Sequence, residues 1–510
     1  MGDMMAKRLA RVDAGSPVLG SPVLDILSRL LGNLHRHGIR CCYWKSGRRL
    51  HAVLAGEADL DLLVAREDQH RITRTLLESG FKLFPSVAHR DHPAVLSFLG
   101  YDEPSGRIVH VHLHTGLVVG ERLLKNYRLP WERVVLSHAA VDPAFQIRVL
   151  DAATEAVLLM VRACVEHRVL DPITVRSWQA TKLKFERDRE ALAARVDRTA
   201  FRARCAGLLD EVSAELLADL LYDGGRRHLA RACRHVRKEL AAYRTYNAVE
   251  GRLRSGGRAL QWLAGGLNKR YLHVPRPWNR RAPGGGRVVA LLGVDGSGKT
   301  TVVAAIRAWL GAEIDVMPIY FGTGDGRPSL LLLPLKLMVP LTAILFKKKP
   351  KGSSHGSVSG RAPGLLYSVL LAIWATVLAA EKRSKLHAAH RGASRGMVVI
   401  ADRYPQDEIA DYNDGPLLPR LTRVPRWLRR FEASAYALVR RLPPDLVIKL
   451  EAPPEVLAVR EPSMDRLVIR ERVGAVQRLR FPGARVVRVD ATQPLDDVIR
   501  AVKGEVWSML

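Results

Sequence analysis

The hydrophobic positions of this chain change character twice along its length. Up to about residue 150, amphipathic helical stretches alternate with short apolar runs, including a helix predicted over 21–34 and a strand predicted over 58–64. From 151 to 274 the pattern is almost wholly helical. An Asp-Pro pair predicts a break at 171–172, and glycine pairs predict breaks at 224–225 and 256–257. The first half therefore predicts an α+β region followed by a helical region.

The pattern after the Pro- and Gly-rich segment 275–286 is a regular alternation of apolar runs with helical stretches. The predicted strands are 288–292, 314–321, 397–401, 446–450 and 486–489. Alternation of this kind predicts an α/β fold, in which a parallel sheet carries helices on both faces and binds ligands at the carboxyl ends of its strands.

The length of 510 residues exceeds what one hydrophobic core supports, so the chain is predicted to contain several domains. The predicted division is a domain over 1–150, a helical accessory region over 151–274, a linker over 275–286 and an α/β domain over 287–510.

The composition adds a strong charge bias. Hydrophobic residues make up 47% of the chain, which is typical of a folded protein and excludes a disordered one. The net charge is +29, and two interpretations stay open: an anionic partner, or an arginine-rich composition spread over all segments. The chain shows no recognisable nucleic-acid-binding module, so nucleic acid ranks last among the candidate partners.

The most specific motif lies directly after the predicted strand 288–292. Residues 293–301 match the pattern G-x-x-x-x-G-K-[ST], in which backbone amides between a strand and a helix surround nucleotide phosphates. In this pattern Lys299 reaches the terminal phosphates and the Thr300 hydroxyl holds Mg²⁺. The candidate nucleotide-binding residues are Gly293, Asp295, Gly296, Ser297, Gly298, Lys299, Thr300 and Thr301. The motif predicts ATP and Mg²⁺ as cofactors.

Two further groups of polar residues follow predicted strands in the same half. Asp402 and Arg403 come directly after 397–401, where a phosphate-loop fold places the groups that organise Mg²⁺ and the transferred phosphoryl group. The segment after 446–450 is rich in arginine and predicts a mobile lid that stabilises negative charge. The candidate catalytic residues are Lys299, Asp402, Arg403, Arg460 and Arg466, with Thr300 and Asp402 as the Mg²⁺ ligands.

This assembly, over about 287–510, resembles the thymidylate kinase family of nucleoside-monophosphate kinases. The resemblance implies that Asp295 lies near the acceptor nucleotide and the metal, that Arg403 contacts the acceptor phosphate and that Arg460 approaches the donor phosphates. The sequence departs from the family where the acceptor base is held: Gly322 and the residues up to Arg327 replace an Arg-Glu-Pro-Gly element, and 405–412 differ from the family as well. The favoured acceptor is a nucleoside monophosphate, and a sugar or glycan acceptor is the alternative.

The predicted strand 58–64 carries a second candidate site. Asp59 and Asp61 are separated by one residue, so their side chains are expected on one face of the strand, where they could hold a pair of metal ions. With the preceding glycine-containing turn, this region resembles the nucleotidyltransferase superfamily related to DNA polymerase β. The position of the third carboxylate expected in that family corresponds to His112, which leaves its activity open. His110, His112 and His114 alternate along one predicted strand, and they either bind a transition metal or form a hydrogen-bonded face.

Two apolar stretches bear on membrane contact. The stretch 365–380 is predicted to be a buried helix, whereas 330–346 contains prolines and is followed by a lysine-rich run to 351. The segment 330–351 is therefore interpreted either as peripheral contact with an anionic membrane surface or as an irregular insertion. No signal-peptide pattern and no disulfide framework are recognised, so the predicted location is cytoplasmic, with the inner membrane surface as the peripheral site.

The sequence thus favours an ATP- and Mg²⁺-dependent phosphotransferase with an appended nucleotidyltransferase-like module. A nucleotide-gated binding protein at a membrane surface is the alternative of a different class, and the sequence does not predict an oligomeric state.

Overall fold

The structure is a computed structural model, and it describes residues 23–166, 175–322, 365–409, 415–420 and 424–510. The chain divides into two compact units, Met1–Arg270 and Tyr271–Leu510. Several sequence predictions lie outside the described residues: the start of the first helix at 21–22, the break at 171–172, the membrane-surface segment 330–351, and the altered acceptor residues 323–327 and 410–412.

The first unit is built on a mixed seven-stranded sheet of order β3-β4-β5-β2-β1-β9-β8, beside a two-stranded β6-β7 pair. Its strands are β1 (Cys41–Tyr43), β2 (Leu60–Val64), β3 (Phe81–Leu83), β4 (Val95–Asp102), β5 (Arg107–His114), β6 (Leu117–Val119), β7 (Tyr127–Leu129), β8 (Ala139–Val141) and β9 (Arg148–Leu150). The central strand β2 is parallel to β5 and antiparallel to β1, and the strand predicted over 58–64 is thereby confirmed.

Helices cover this sheet and continue into the predicted helical region. They are Asp25–Arg36, Leu50–Leu54, Gln69–Glu78, Glu132–Ser137, Ala152–Glu166, Val175–Ala193, Arg198–Ala206, Glu211–Tyr222, Gly225–Glu239 and Ala248–Leu267. One hydrophobic core joins residues of both regions, since Leu63 and Leu150 belong to the same cluster as Val161, Leu217 and Val236. The helical region therefore packs on the α+β part and shares its core.

One predicted helix break is confirmed and one is wrong. Gly224 has a φ of 65° and precedes the helix Gly225–Glu239, as expected of a glycine at a helix boundary. The helix Ala248–Leu267, in contrast, runs through the predicted break at 256–257. Glycine lowers helix stability by about 1 kcal/mol per residue, but the helix is capped by the Asn247 side chain, which accepts a hydrogen bond from the Glu250 amide.

The second unit contains a five-stranded sheet of order β11-β12-β10-β13-β14, in which every neighbouring pair is parallel. Its strands are β10 (Arg287–Gly293), β11 (Val316–Tyr320), β12 (Val398–Asp402), β13 (Leu446–Glu451) and β14 (Arg485–Asp490). All five predicted strands and the predicted α/β class are confirmed. The first strand of this unit, β10, is the central strand of the sheet. Because its neighbours β12 and β13 are parallel to it, the loops that follow these three strands begin at the same edge of the sheet.

The helices of the second unit lie between these strands. They are Lys299–Gly311, Leu365–Ser394, Arg426–Arg441, Pro454–Arg460, Arg466–Arg478 and Leu495–Met509. Val288, Ala290 and Leu292 of β10 belong to a core cluster with Leu386 and Val439, which lie on two of these helices. The alternate positions Val289 and Leu291 are also fully buried, so β10 is covered on both faces.

The predicted linker 275–286 packs on the second unit. The Arg280 guanidinium lies 3.1 Å from the Glu313 carboxylate, and the Ala282 amide donates a hydrogen bond of 2.9 Å to the Gly396 carbonyl. The stretch predicted as a buried helix lies in Leu365–Ser394, where Ala375 and Ala379 are buried but Ile373 is exposed. Within the part of the chain that the structure describes, no helix has both the length and the apolar character needed to cross a bilayer.

Candidate functional site

The phosphate-loop motif lies between the end of β10 and the helix Lys299–Gly311. Gly298 is the residue before the helix, has a φ of 85° and offers no side-chain cap to the first-turn amides. Uncapped amides at a helix N-terminus, together with the positive end of the helix dipole, favour a bound anion. The motif therefore has the strand–loop–helix context that its chemistry requires.

Two other glycines of the loop are required by close approach or by backbone conformation. A Cβ on Gly293 would lie 2.3 Å from the Ser297 Oγ and 2.9 Å from the Leu450 carbonyl oxygen. Gly296 has a φ of 84°, which favours glycine. The Ser297 hydroxyl is buried and has no hydrogen-bond partner among the described residues. A buried unsatisfied hydroxyl at an anion-binding loop is consistent with a ligand as its partner.

Lys299 is held on the loop itself. Its Nζ donates a hydrogen bond of 2.9 Å to the Val294 carbonyl and lies 3.6 Å from the Asp295 carboxylate. Burial lowers the pKa of Lys299, the nearby Arg403 cation lowers it further, and the carboxylates of Asp295 and Asp402 oppose both effects. The ammonium group is therefore positioned at the loop where a polyphosphate would bind.

Asp402 ends the strand β12 directly beside β10, where it is paired in register with Leu291. Its Oδ2 accepts a hydrogen bond of 3.4 Å from the Thr300 hydroxyl. The two Mg²⁺ ligands predicted from sequence are thus neighbours, and both are oxygen donors, which Mg²⁺ prefers.

Asp295 is the centre of an ion-pair cluster in the loop. Its Oδ1 lies 2.6 Å from the Arg403 guanidinium and its Oδ2 lies 2.8 Å from the Arg472 guanidinium. Arg403 adopts a left-handed conformation with a φ of 66°, which costs about 1 kcal/mol or more in a residue other than glycine. Three cations, those of Lys299, Arg403 and Arg472, therefore converge on one carboxylate beside the phosphate loop.

The predicted lid arginines lie in different surroundings from one another. The Arg460 guanidinium donates a hydrogen bond of 2.9 Å to the Ala491 carbonyl, although its Cβ lies beside Gly296 of the loop. Arg466 begins the helix Arg466–Arg478 and is exposed to solvent. Arg472, on the same helix, is only 6% exposed and reaches the cluster. The arginine-rich composition indicated this segment, but only helical phase in the folded chain distinguishes Arg472 from Arg466.

Two lysines of the helix Leu365–Ser394 were not predicted as site residues. The Lys385 Nζ lies 2.7 Å from the Tyr320 carbonyl oxygen, at the end of β11, and 2.9 Å from the Glu381 carboxylate. The buried Lys382 donates a hydrogen bond of 3.2 Å to the Tyr436 hydroxyl. The sequence feature that could have indicated them is the group of charged residues at 381–385, directly after the apolar stretch 365–380. The altered acceptor segment after Gly322, including Arg327, lies outside the described residues.

The second candidate site lies on the sheet of the first unit. Asp61, in β2, is in register with His112 of the parallel strand β5, and both side chains lie on the same face. The Asp61 Oδ1 lies 3.1 Å from the Lys45 Nζ, 3.4 Å from the His112 Nδ1 and 3.2 Å from the His114 Nε2. Asp59, directly before β2, lies 3.4 Å from the His110 Nδ1 and 4.0 Å from the His112 Nδ1.

The charges on this face shift the pKa values of its buried members. Burial alone would raise the pKa of Asp61, but the Lys45 ammonium and the hydrogen bonds to His112 and His114 hold it well below the usual range. Burial lowers the pKa of His114 to about 4, although its hydrogen bond to Asp61 opposes the shift. Asp61 is thus an ionised carboxylate with its own set of partners, and its role as a metal ligand stays a prediction.

Comparison with known proteins bears on part of the chain. No protein-family model matches it. An uncharacterised ATP-binding protein of Escherichia coli, YghS, is 28% identical over 220 residues, which are 42% of this chain and 90% of YghS. A second ATP-binding protein of that organism, YghR, is 24% identical over 43% of this chain and 86% of its own length. A thymidylate kinase of Limosilactobacillus fermentum is 25% identical over 43% of this chain and 94% of its own. These matches support the resemblance to ATP-binding and kinase-like proteins over less than half of the chain. They do not support the nucleotidyltransferase-like resemblance of the first unit.

Proposed function

We propose that the second unit is an ATP- and Mg²⁺-dependent phosphotransferase and that its favoured acceptor is a nucleoside monophosphate. The observation that carries the proposal is the phosphate loop at 293–301, with its uncapped helix N-terminus and the cations of Lys299, Arg403 and Arg472 beside it. The similarity to proteins named ATP-binding and to a thymidylate kinase supports the same conclusion.

The donor phosphates are bound by the amides of the loop and by Lys299. The first-turn amides and the Ser297 hydroxyl supply hydrogen-bond donors, and the Lys299 ammonium supplies a positive charge. Transfer of the terminal phosphoryl group spreads negative charge over its oxygens, so fixed cations lower the barrier most when they are already in position. The ion pairs with Asp295 hold Arg403 and Arg472 in such positions.

The residues present fit a magnesium ion. Thr300 and Asp402 offer two oxygen donors at the ends of neighbouring elements, 3.4 Å apart, and Mg²⁺ is bound in such sites by one or two protein oxygens together with phosphate oxygens. The ion would neutralise charge that develops on the phosphates.

The proposed class of acceptor follows from the chemical group that Arg403 can bind. The Arg403 side chain follows the end of β12 and is 19% exposed. A guanidinium group can bind a phosphate in bidentate fashion. An acceptor with a phosphate group, such as a nucleoside monophosphate, satisfies this geometry. A sugar or glycan acceptor is the alternative suggested by the altered sequence at 322–327.

The test is a transfer assay on the full chain with ATP, Mg²⁺ and a panel of nucleoside monophosphates, sugars and glycans. We expect ADP and a nucleoside diphosphate to form in equal amounts. Phosphorylation of a sugar alone would keep the phosphotransferase and replace the acceptor. Absence of ATP and GTP binding in calorimetry with Mg²⁺ would overturn the proposal entirely.

A further inference from the structure

The histidine face of the first unit contains a cluster that the phosphotransferase proposal does not use. His110, His112 and His114 alternate along β5, so all three side chains lie on one face of the sheet. Asp59 and Asp61 lie on the same face at the start of β2, the parallel neighbour of β5. On its other side β5 pairs with the antiparallel strand β4, so the backbone that carries the histidines is held by hydrogen bonds on both edges.

Three of these residues bring their donor atoms together. Asp59, His110 and His112 each offer one ligand atom, and the three atoms lie within 4.8 Å of one another. Two ligands of one zinc-like ion, each about 2.1 Å from it, are separated by about 3 to 4 Å. The Asp59 Oδ1 lies 3.4 Å from the His110 Nδ1, and the Asp59 Oδ2 lies 4.0 Å from the His112 Nδ1, so each imidazole has one carboxylate oxygen within this range.

The burial of the three residues suits a site that is both rigid and accessible. The His110 side chain is 3% exposed and packs against His112, with 3.9 Å between ring centroids. His112 is 25% exposed and Asp59 is 37% exposed, so an ion can enter from solvent. A fixed imidazole with two more accessible ligands needs little rearrangement to close on a metal ion.

Asp61 belongs to a different set of contacts. It is ion-paired to Lys45 at 3.1 Å and accepts from His114 at 3.2 Å, both independent of Asp59 and His110. If the His112 Nδ1 turns to a metal, Asp61 loses one contact and keeps these two. The structure therefore separates the two aspartates, which the sequence pattern treated as a pair, into a candidate ligand and an ion-paired carboxylate.

We propose that Asp59, His110 and His112 bind one divalent first-row transition-metal ion. Imidazole nitrogen suits zinc, iron, cobalt and nickel, whereas Mg²⁺ prefers oxygen donors throughout. Two histidines and one carboxylate leave coordination positions open for water or a small anionic ligand. The cluster belongs to the first unit and shares no residue with the phosphate loop of the second unit.

The experiment uses the full chain after chelator treatment and dialysis, with Co²⁺ as a spectroscopic probe and Zn²⁺ in calorimetry. The variants are His112→Asn and Asp59→Asn, both at partly exposed positions. Their matched controls in the same unit are His35→Asn and Asp223→Asn, which change exposed residues outside the cluster. Circular dichroism without metal verifies that each variant is folded.

We expect the wild-type chain to bind one Co²⁺ or Zn²⁺ with a visible d–d absorption band for Co²⁺, and excess Mg²⁺ not to displace it. Each cluster variant should weaken binding by at least about tenfold, and each control should leave it unchanged. Absence of binding by the wild-type chain would overturn the proposal. Equal binding by the cluster variants, or an equal loss in the His35→Asn control, would overturn it as well.

Discussion

The ion-pair cluster around Asp295 and the histidine face around Asp59 and Asp61 both place carboxylates among nitrogen-containing side chains beside a pair of parallel strands. Around Asp295 the partners are one lysine and two arginines. On the histidine face they are three imidazoles and one lysine. Ammonium and guanidinium groups suit phosphate, whereas imidazole nitrogens suit a metal ion.

The difference shows how one arrangement can serve two chemistries. In the second unit the carboxylate orders cations that would otherwise repel one another, and a phosphate would supply further negative charge. In the first unit the carboxylates differ from each other, because Asp61 has an ammonium partner and Asp59 has imidazoles. Four measurements test the two units, three of them at these clusters and one at another buried carboxylate of the first unit.

The largest effect is expected from Lys299→Ala. The variant removes a buried cation from the phosphate loop, and loss of one preorganised charge-stabilising group costs about 100- to 1,000-fold in rate. Phosphoryl transfer from ATP is the measurement, and Lys503→Ala, on the helix Leu495–Met509, is the control. Activity within a few-fold of wild type in Lys299→Ala would contradict the role of the loop.

A pH effect is expected in the first unit from Glu155, which is 8% exposed and accepts a hydrogen bond from the Gly47 amide. Burial raises its pKa from 4.5 to about 7, so the folded state binds the extra proton between these values. The contribution of Glu155 to the free energy of unfolding is therefore highest below pH 4.5. This contribution falls by roughly 3 kcal/mol in all as the pH rises to about 7.

The measurement is the difference in unfolding free energy between wild type and Glu155→Gln from pH 4.5 to 8. Glutamine keeps an acceptor for the Gly47 amide and cannot ionise, so the variant should lack this part of the pH dependence. Parallel curves for the two proteins would show that Glu155 does not titrate as inferred.

The two aspartates of the histidine face should differ in their effect on stability. Asp61→Asn removes a buried carboxylate from the Lys45 ion pair, and we expect a loss of about 2 kcal/mol, less than for a fully buried pair because Lys45 is partly exposed. Asp59→Asn, at a more exposed position, should cost under about 0.5 kcal/mol. Denaturant unfolding in the presence of a chelator measures the loss of unfolding free energy in each variant. Equal losses in Asp61→Asn and Asp59→Asn would contradict the inference that only Asp61 is held in a stabilising ion pair.

The smallest effect concerns two arginines of one helix. Arg472 is buried and contacts Asp295, whereas Arg470 is exposed two residues earlier on the helix Arg466–Arg478. We expect Arg472→Ala to lower kcat/KM for phosphoryl transfer by about tenfold and Arg470→Ala to leave it within about twofold. A larger loss of kcat/KM in Arg466→Ala than in Arg472→Ala would show that Arg466, which was predicted from the sequence, contributes more to phosphoryl transfer than Arg472.

Features that depend on neighbours along the chain follow from the amino-acid sequence alone. The phosphate loop, the five strands of the second unit and β2 in the first are local patterns, in which glycine spacing and runs of apolar residues fix the backbone within a few residues. The same local rule was wrong at 256–257, where two glycines lower helix propensity but a capped helix continues through them.

Which side chains meet depends on how the distant segments of the chain fold together. Arg472 and Asp295 are 177 positions apart, and their contact depends on helical phase and on how the helix packs beside the loop. Asp59 and Asp61 look equivalent in sequence, but β5 brings His110 to the first, whereas Lys45 and His114 reach the second. Composition and spacing carry no information on such pairings, because distant segments are brought together by burial of their apolar faces and not by the polar residues that they present.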